Sequence, residues 1–269
     1  MPLDRPKPDP TRPCPHCGRL EPRPLPRYSR EGWIVAQCGA CGFVHLANPP
    51  GHAALSEAFA WEKGLAAEET RRKAAAPLLY GIDYATRFRT GLLAPGDMQK
   101  YVRWFGPGGN VLDVGCATGG RIRAPFTPFG IEVSKALAAE ADAEMRARGG
   151  YCLHGPGAEA IWDFPETFFD GIVMRSYLEH EEAPLKALRG ARRALKPSGR
   201  LYVKVPNYGS LNRMVIGRNW CGFRLPDHVN YFTLASLRGM AAAAGFRLRL
   251  KNPWNLWLDD NIHALLVPV

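Results

Sequence analysis

The chain has 269 residues, 46% of them hydrophobic, and a formal net charge of +10. This supports a full globular core in one large domain, or one medium domain with an appendage, and no apolar run approaches the ~20 residues that a helical bilayer crossing needs. The arginines are scattered without a block of like charge, so the positive balance reads first as a solvated basic surface and only second as a nucleic-acid footprint.

The opening run MPLDRPKPDP is charged and proline-rich with no apolar signal region, which gives a cytoplasmic location as the expectation. Residues 1–13 read as an arm. Two C-x-x-C knuckles follow, Cys14 with Cys17 and Cys38 with Cys41, separated by 20 residues. Each knuckle curls two thiolates onto one face, and two knuckles complete a tetrahedron. Gly18 and Gly42 follow the knuckles, where a left-handed turn lets backbone N–H groups face sulfur. The pattern predicts a small zinc ribbon over residues 1–50, with a strand around Trp33, Ile34 and Val35. Four thiolates leave no open coordination position, so the expected Zn2+ is structural, and a unit this small needs it to fold. A redox dithiol and a rubredoxin-like iron site are the alternatives, but no thioredoxin-like βαβ unit surrounds either pair. His16 and His45 lie near a site that the cysteines already fill.

LANPP (Leu46–Pro50) closes that unit, and the Ala/Glu/Arg-rich residues 51–100 read as a helical connector. Over 101–269, strand and helix patterns alternate. NVLDVG, FGIEV (Phe129–Val133), YCLH, FDGIVMR (Phe169–Arg175) and RLYVKVP read as strands. SKALAAEADAEMRARGG reads as a helix capped by Ser134 and stopped at Gly149. APLKALRGARRALKPSG puts Leu185, Leu188, Ala191 and Leu195 on one helical face, and Thr233 caps LASLRGMAAAAGF. Two last strands, near Phe246–Leu250 and Ile262–Val267, are close enough to pair as a hairpin. The order predicts an α/β fold: a doubly wound, mostly parallel, seven-stranded Rossmann-like sheet with the small N-terminal ribbon attached.

VLDVGCATGG (Val111–Gly120) fits two frames. Gly115, Ala117 and Gly120 approximate G-x-G-x-x-G, while Asp113, Gly115, Ala117 and Gly119 approximate the D-x-G-x-G-x-G of an S-adenosylmethionine (SAM) site. An acid beside the loop suits the ammonium and sulfonium of SAM, whereas a pyrophosphate has no need of it. Glu132, ending the next strand, suits ribose hydroxyls in either frame. Pro125 and Pro128 restrict the intervening helix to about one turn. That is a poor platform for a pyrophosphate and a tolerable one for SAM.

At these residues the chain resembles class I SAM-dependent methyltransferases from VLDVGCATGG to the C-terminus. It most resembles bacterial enzymes with an N-terminal zinc ribbon from polysaccharide and natural-product pathways. CPHCG, CGACGFVHLANPP, FDGIVMRSYLEH, LKPSGRLYVKVPN and LPDHVNYFTLASLRGMAAAAGF carry the likeness in the family's order. The resemblance implies that Gly115, Ala117 and Gly119 cradle the methionine moiety, Asp113 orients its amino group and Glu132 binds ribose. It implies that Gly157, Ala158 and Glu159 lie along the adenine and that Met174 and Arg175 close over the cofactor. Ala117 departs from the usual glycine, and Gly157 from a frequent acid.

Oxygen and carbon acceptors usually need a base. His228, beside Asp227 and Tyr231, and His180, beside Glu179, compete for that role. The resemblance favours His228. The run SYLEH departs from the E-x-x-E-H with which some O-methyltransferases and RNA methyltransferases hold a divalent ion, because Ser176 takes the first acid's place. Trp220, Phe223, Met214 and Tyr208 either line an acceptor pocket or anchor their loop to the core. The leading expectation is methyl transfer to a small-molecule or sugar acceptor. RNA methylation, with Arg12, Arg19, Arg23, Arg27 and Arg30 gripping nucleic acid, and SAM binding without transfer stand beside it.

Overall fold

The computed structural model describes residues 12–50 and 96–269. The expected connector lies, but for residues 96–100, outside the described residues. Three short strands build the N-terminal unit: β1 (Pro22–Pro24), β2 (Val35–Cys38) and β3 (Val44–Leu46). Helix α1 (Asp97–Phe105) then leads into the sheet strands β4 (Gly109–Val114), β5 (Phe126–Glu132), β6 (Tyr151–His154), β7 (Phe169–Arg175) and β8 (Leu195–Pro206). Helices α2 (Lys135–Arg146), α3 (Gly157–Ala160), α4 (Pro184–Ala194), α5 (Leu211–Ile216) and α6 (Leu234–Ala243) connect them. A two-residue strand β9 (Asn230–Tyr231) precedes α6, and β10 (Phe246–Leu250) with β11 (Asn261–Pro268) ends the chain.

The main sheet has seven strands in the order β10-β11-β8-β7-β4-β5-β6. β8, β7, β4, β5 and β6 pair in parallel, and β11 runs antiparallel to both neighbours. The expected mostly parallel sheet and terminal hairpin are therefore present. Period-2 alternation sorts the faces. Leu201, Val203 and Val205 of β8 join the core under α4 and α6, while Tyr202 turns to Tyr101 and Phe105 of α1.

Local differences have identifiable causes. No helix forms between β4 and β5, where one turn was predicted; Arg121–Pro125 makes turns and bends. Pro125 has no N–H, and Pro128 sits inside β5, opposite Val111. Ser134 occupies the N-cap of α2, but its side chain makes no capping bond. Thr233 does cap α6, in a reciprocal box with Ser236. Leu195 starts β8 instead of ending α4.

The N-terminal sheet is not self-contained. Its order is β1-β2-β3-β9, so a strand from the C-terminal region completes it, with Val44 opposite Tyr231 and His45 opposite Asn230. Trp33, Val35, Val44 and Leu46 share one core with Trp220, Phe223, Val229 and Tyr231. Trp220 and Phe223 thus anchor their loop, and Met214 is exposed. Arg12 stitches the units together, donating to Val229 O, Glu182 O and Asn230 Oδ1 at 2.9, 2.6 and 3.1 Å.

His45 is buried in this junction with neither ring nitrogen hydrogen-bonded. Burial, reinforced by Arg12, holds its pKa down at about 4, against 6.5 in the open. The neutral ring's stabilising contribution is complete above 6.5 and is lost as pH falls through 4. Between those pH values His45→Phe should therefore lose less stability than the wild type, by up to about 3 kcal/mol. Denaturant midpoints across that range check this; parallel curves would refute it.

Candidate active site

β4 delivers Asp113 to its carboxyl end, and the chain turns through Gly115–Gly120. Gly115, Ala117 and Gly119 all adopt positive φ, at 74°, 49° and 83°. The turn lies against β5, where Gly115 N and Cys116 N donate to Ile131 O at 2.9 and 3.2 Å. Gly119 packs on α2 so closely that a Cβ would come within 3.2 Å of Ala141 and Met145. Ala117 is the exception: a side chain in the left-handed region costs about 1 kcal/mol. Ala117→Gly should raise stability by up to about that amount. It should also tighten binding to the loop. Calorimetry and a denaturant midpoint test both; a weaker binder would show that the methyl group is used.

Two buried acids flank the loop. Glu132 accepts from Ala117 N through Oε2 and from Ser134 N through Oε1, both at 2.9 Å. It therefore ties the loop to the start of α2. Asp113 accepts from Arg121 Nη1 at 2.6 and 2.8 Å. Burial still pushes the Asp113 carboxyl up to about 6; Arg121 pulls it down and Glu132 opposes that pull. With no helix after the loop, Arg148 takes up part of the support by donating to Ile122 O and Gly119 O. Two buried carboxylates against one guanidinium repel a pyrophosphate. They suit a cationic ligand with hydroxyls, and the site's residues fit SAM in that sense.

The predicted adenine side is α3. Gly157 and Ala158 are buried, whereas Glu159 faces outward and pairs with Lys186. Gly157 makes room for Tyr177: a Cβ would sit 2.3 Å from its hydroxyl. The same Tyr177 ring covers Gly115, and its hydroxyl donates to Glu181, which also accepts from Ala158 N at 3.3 Å. Met174 packs in the main core, and Arg175 pairs with Asp97 of α1.

Beyond β7, Ser176 at φ 54° turns the chain out of the sheet. The two histidines weighed as competitors come together here, with ring centroids 4.7 Å apart and planes at 86°. His180 Nδ1 lies 2.9 Å from Asp227 Oδ1 and 3.0 Å from Asp227 O. His228 Nδ1 lies 2.9 Å from Gly222 O. Asp227 raises the His180 pKa against the opposing effect of burial, while burial and the neighbouring His180 press His228 down to about 3. Asp227 itself is held at about 2 by His180, against its own burial. Tyr231 donates its hydroxyl to His228 O at 2.8 Å, fixing backbone and leaving its ring in the core shared with the N-terminal sheet. The two segments are clasped: Val229 N and Asn230 N donate to Glu179 O, and Asn230 Nδ2 to Leu178 O and Glu181 O.

The four knuckle cysteines also converge. Cys14 Sγ lies 3.5 Å from Cys41 Sγ and Cys17 Sγ 3.6 Å from Cys38 Sγ, forming a cluster that can hold a metal ion. Four sulfurs bound at about 2.3 Å in a tetrahedron have comparable separations.

Arg121, Tyr177 and Glu181 were missed in the sequence reading. Arg121 ends the loop itself and was open to a charge argument; Tyr177 and Glu181 act through contacts across the sheet end.

A family model described as "Methyltransferase domain" matches residues 86–251. Among solved structures, the chain is similar to a SAM-dependent methyltransferase from Archaeoglobus fulgidus, at 14% identity and TM-score 0.48, covering 63% of this chain and 90% of that one. It is similar to YcgJ from Bacillus subtilis at 22% identity and TM-score 0.44, covering 55% and 66%. It is also similar to the [4+2]-cyclase SpnF at 21% identity and TM-score 0.45, covering 60% and 75%. No curated protein matches the chain.

Proposed function

Because the chain belongs to the methyltransferase-domain family, we propose that it is a SAM-dependent methyltransferase acting on a small molecule. The donor lies between β4, β5 and α3, and the acceptor meets the His180–His228 edge. The observation that carries this reading is the pair of buried acids, Asp113 and Glu132, beside a loop of positive-φ residues. SAM, when bound, supplies a methyl group on a positively charged sulfonium.

The chain's residues orient and exclude. Asp113 takes the ammonium and Arg121 the carboxylate of the methionine moiety, so their present ion pair opens to admit both ends. Glu132 holds the ribose while keeping its grip on Ala117 N. Tyr177, over Gly115 and Gly157, closes the donor side against water. Alignment of nucleophile and methyl is the main contribution such a site makes. His180 is the better of the two proton acceptors: Asp227 favours its charged form, whereas burial disfavours that of His228. The four cysteines hold a structural zinc that fastens the ribbon beneath the His228 loop.

A small acceptor is favoured over RNA because the ribbon's arginines are partly spent within the protein. Arg12 holds the 229–230 backbone, Arg30 donates to Phe223 O at 2.8 Å, and Arg19 pairs with Glu21.

The test is methyl-labelled SAM incubated with the protein and fractionated cell extract. Label should enter the small-molecule fraction. His180→Ala should cut that transfer by about a hundredfold, with SAM affinity unchanged. Label in RNA would replace the acceptor reading. An unchanged rate in the variant would remove His180.

A further inference from the structure

We propose that Glu179, His180 and His228 form a binding site for a divalent transition-metal cation, distinct from the four-cysteine cluster. One ligand atom from each lies within 4.8 Å of the other two. Glu179 and His180 come from the turn after β7, and His228 comes from the loop before β9. The backbone clasp between those segments therefore sets the arrangement before any ion arrives.

Hydrogen bonding leaves the right atoms free. A carbonyl or carboxylate oxygen only accepts, so each Nδ1 that faces one must carry the proton. His180 Nδ1 faces two such oxygens of Asp227, and His228 Nδ1 faces Gly222 O. Each neutral ring then carries its lone pair on Nε2. This is the orientation that a carboxylate or carbonyl behind a metal-bound imidazole enforces. The third ligand is buried and only partly paired. Glu179 is only 1% exposed, and its Oε2 has no hydrogen-bond partner. A buried carboxylate oxygen in that state is costly.

Arg224 Nη2 is 2.6 Å from Asp227 Oδ2, behind His180. His180 and Lys204 favour the charged form of Glu179, and Asp227 acts with the opposite sign. Two imidazole nitrogens and one carboxylate oxygen suit zinc, cobalt, iron or manganese better than magnesium or calcium, which prefer all-oxygen sets. Three protein ligands leave positions open, as in sites that bind a reactant. Binding of the ion stands independently of methyl transfer. With the ion bound, His180 Nε2 is a ligand and cannot be the proton acceptor, so an acceptor oxygen in an open position rests on the methyltransferase reading above but replaces its His180 base. The missing acid at Ser176 does not matter here, because His228 supplies the third ligand.

Co2+ titration of the full chain, with its cysteine cluster zinc-loaded, tests the site. The wild type should bind one Co2+ with weak visible bands and no thiolate charge transfer. Glu179→Gln and His228→Gln should each weaken that binding by about tenfold or more. Asp227→Asn should weaken it less. Calorimetry should show unchanged SAM affinity in all three. The wild-type spectrum decides even if a variant fails to fold. No Co2+ uptake at millimolar concentration, or thiolate bands alone, would overturn the site. SAM binding and methyl transfer with no Co2+ uptake would sink this inference while leaving the methyltransferase intact; Co2+ uptake without SAM binding would do the reverse.

Discussion

Replacing Glu132 with alanine should weaken SAM binding by about a hundredfold or more. Hydrogen bonds to a charged group contribute about 1.5–3 kcal/mol each, and two ribose hydroxyls are at stake. The loss extends further, because the carboxylate also accepts from Ala117 N and Ser134 N. Without it, the loop that carries Ala117 at positive φ loses its brace. Glu132→Gln should fall between, since an amide keeps one accepting oxygen. Calorimetry with SAM reads both variants, and equal affinity in the alanine variant would mean that the ribose lies elsewhere.

Cys38→Ser should release zinc and abolish turnover while SAM affinity stays within a few-fold of the wild type. The separation follows from the architecture. The cysteines lie far along the chain from the glycine loop, but the ribbon's core includes Trp220, Phe223, Val229 and Tyr231. Those residues flank His228, and β3 pairs directly with β9. Losing the ribbon therefore unfastens the acceptor side first. Metal analysis, near-ultraviolet dichroism from Trp33 and Trp220, and turnover should change together. Retained zinc would contradict the four-cysteine site. Unchanged turnover without zinc would show that the ribbon does not position the histidines.

Repeating patterns made most of the sheet legible. FDGIVMR is a strand with the predicted ends because seven mostly buried residues leave no other reading. The two knuckles predicted a cysteine cluster because their spacing states the geometry almost alone. Relations between distant segments were not legible. A two-residue strand such as β9 has no period, so nothing in HVNYF announced that it would complete the N-terminal sheet. Trp220 and Phe223 were read as equally suited to a pocket or an anchor; only the partner surface, far earlier in the chain at Trp33 and Val35, decides for the anchor. The prolines correctly signalled a weakened helix after the loop but not its absence.

The histidines show the same boundary. Each was seen beside an acid, and the sequence neighbours were paired accordingly: Glu179 with His180, Asp227 with His228. In the fold, Asp227 instead holds His180, and Glu179 offers a carboxylate oxygen to both histidines. Both pairs lie in turns and loops, where adjacent side chains follow no fixed direction, so a neighbouring acid is a weak guide to a histidine's partner.

The central claim is that the cradle between Asp113 and Glu132 binds SAM and not a dinucleotide. Calorimetric titration of the 269-residue chain with SAM, and separately with NAD, tests it most directly. One-to-one saturable binding of SAM, with none of NAD, is the predicted result. Absence of SAM binding, or preferential binding of NAD, would contradict it.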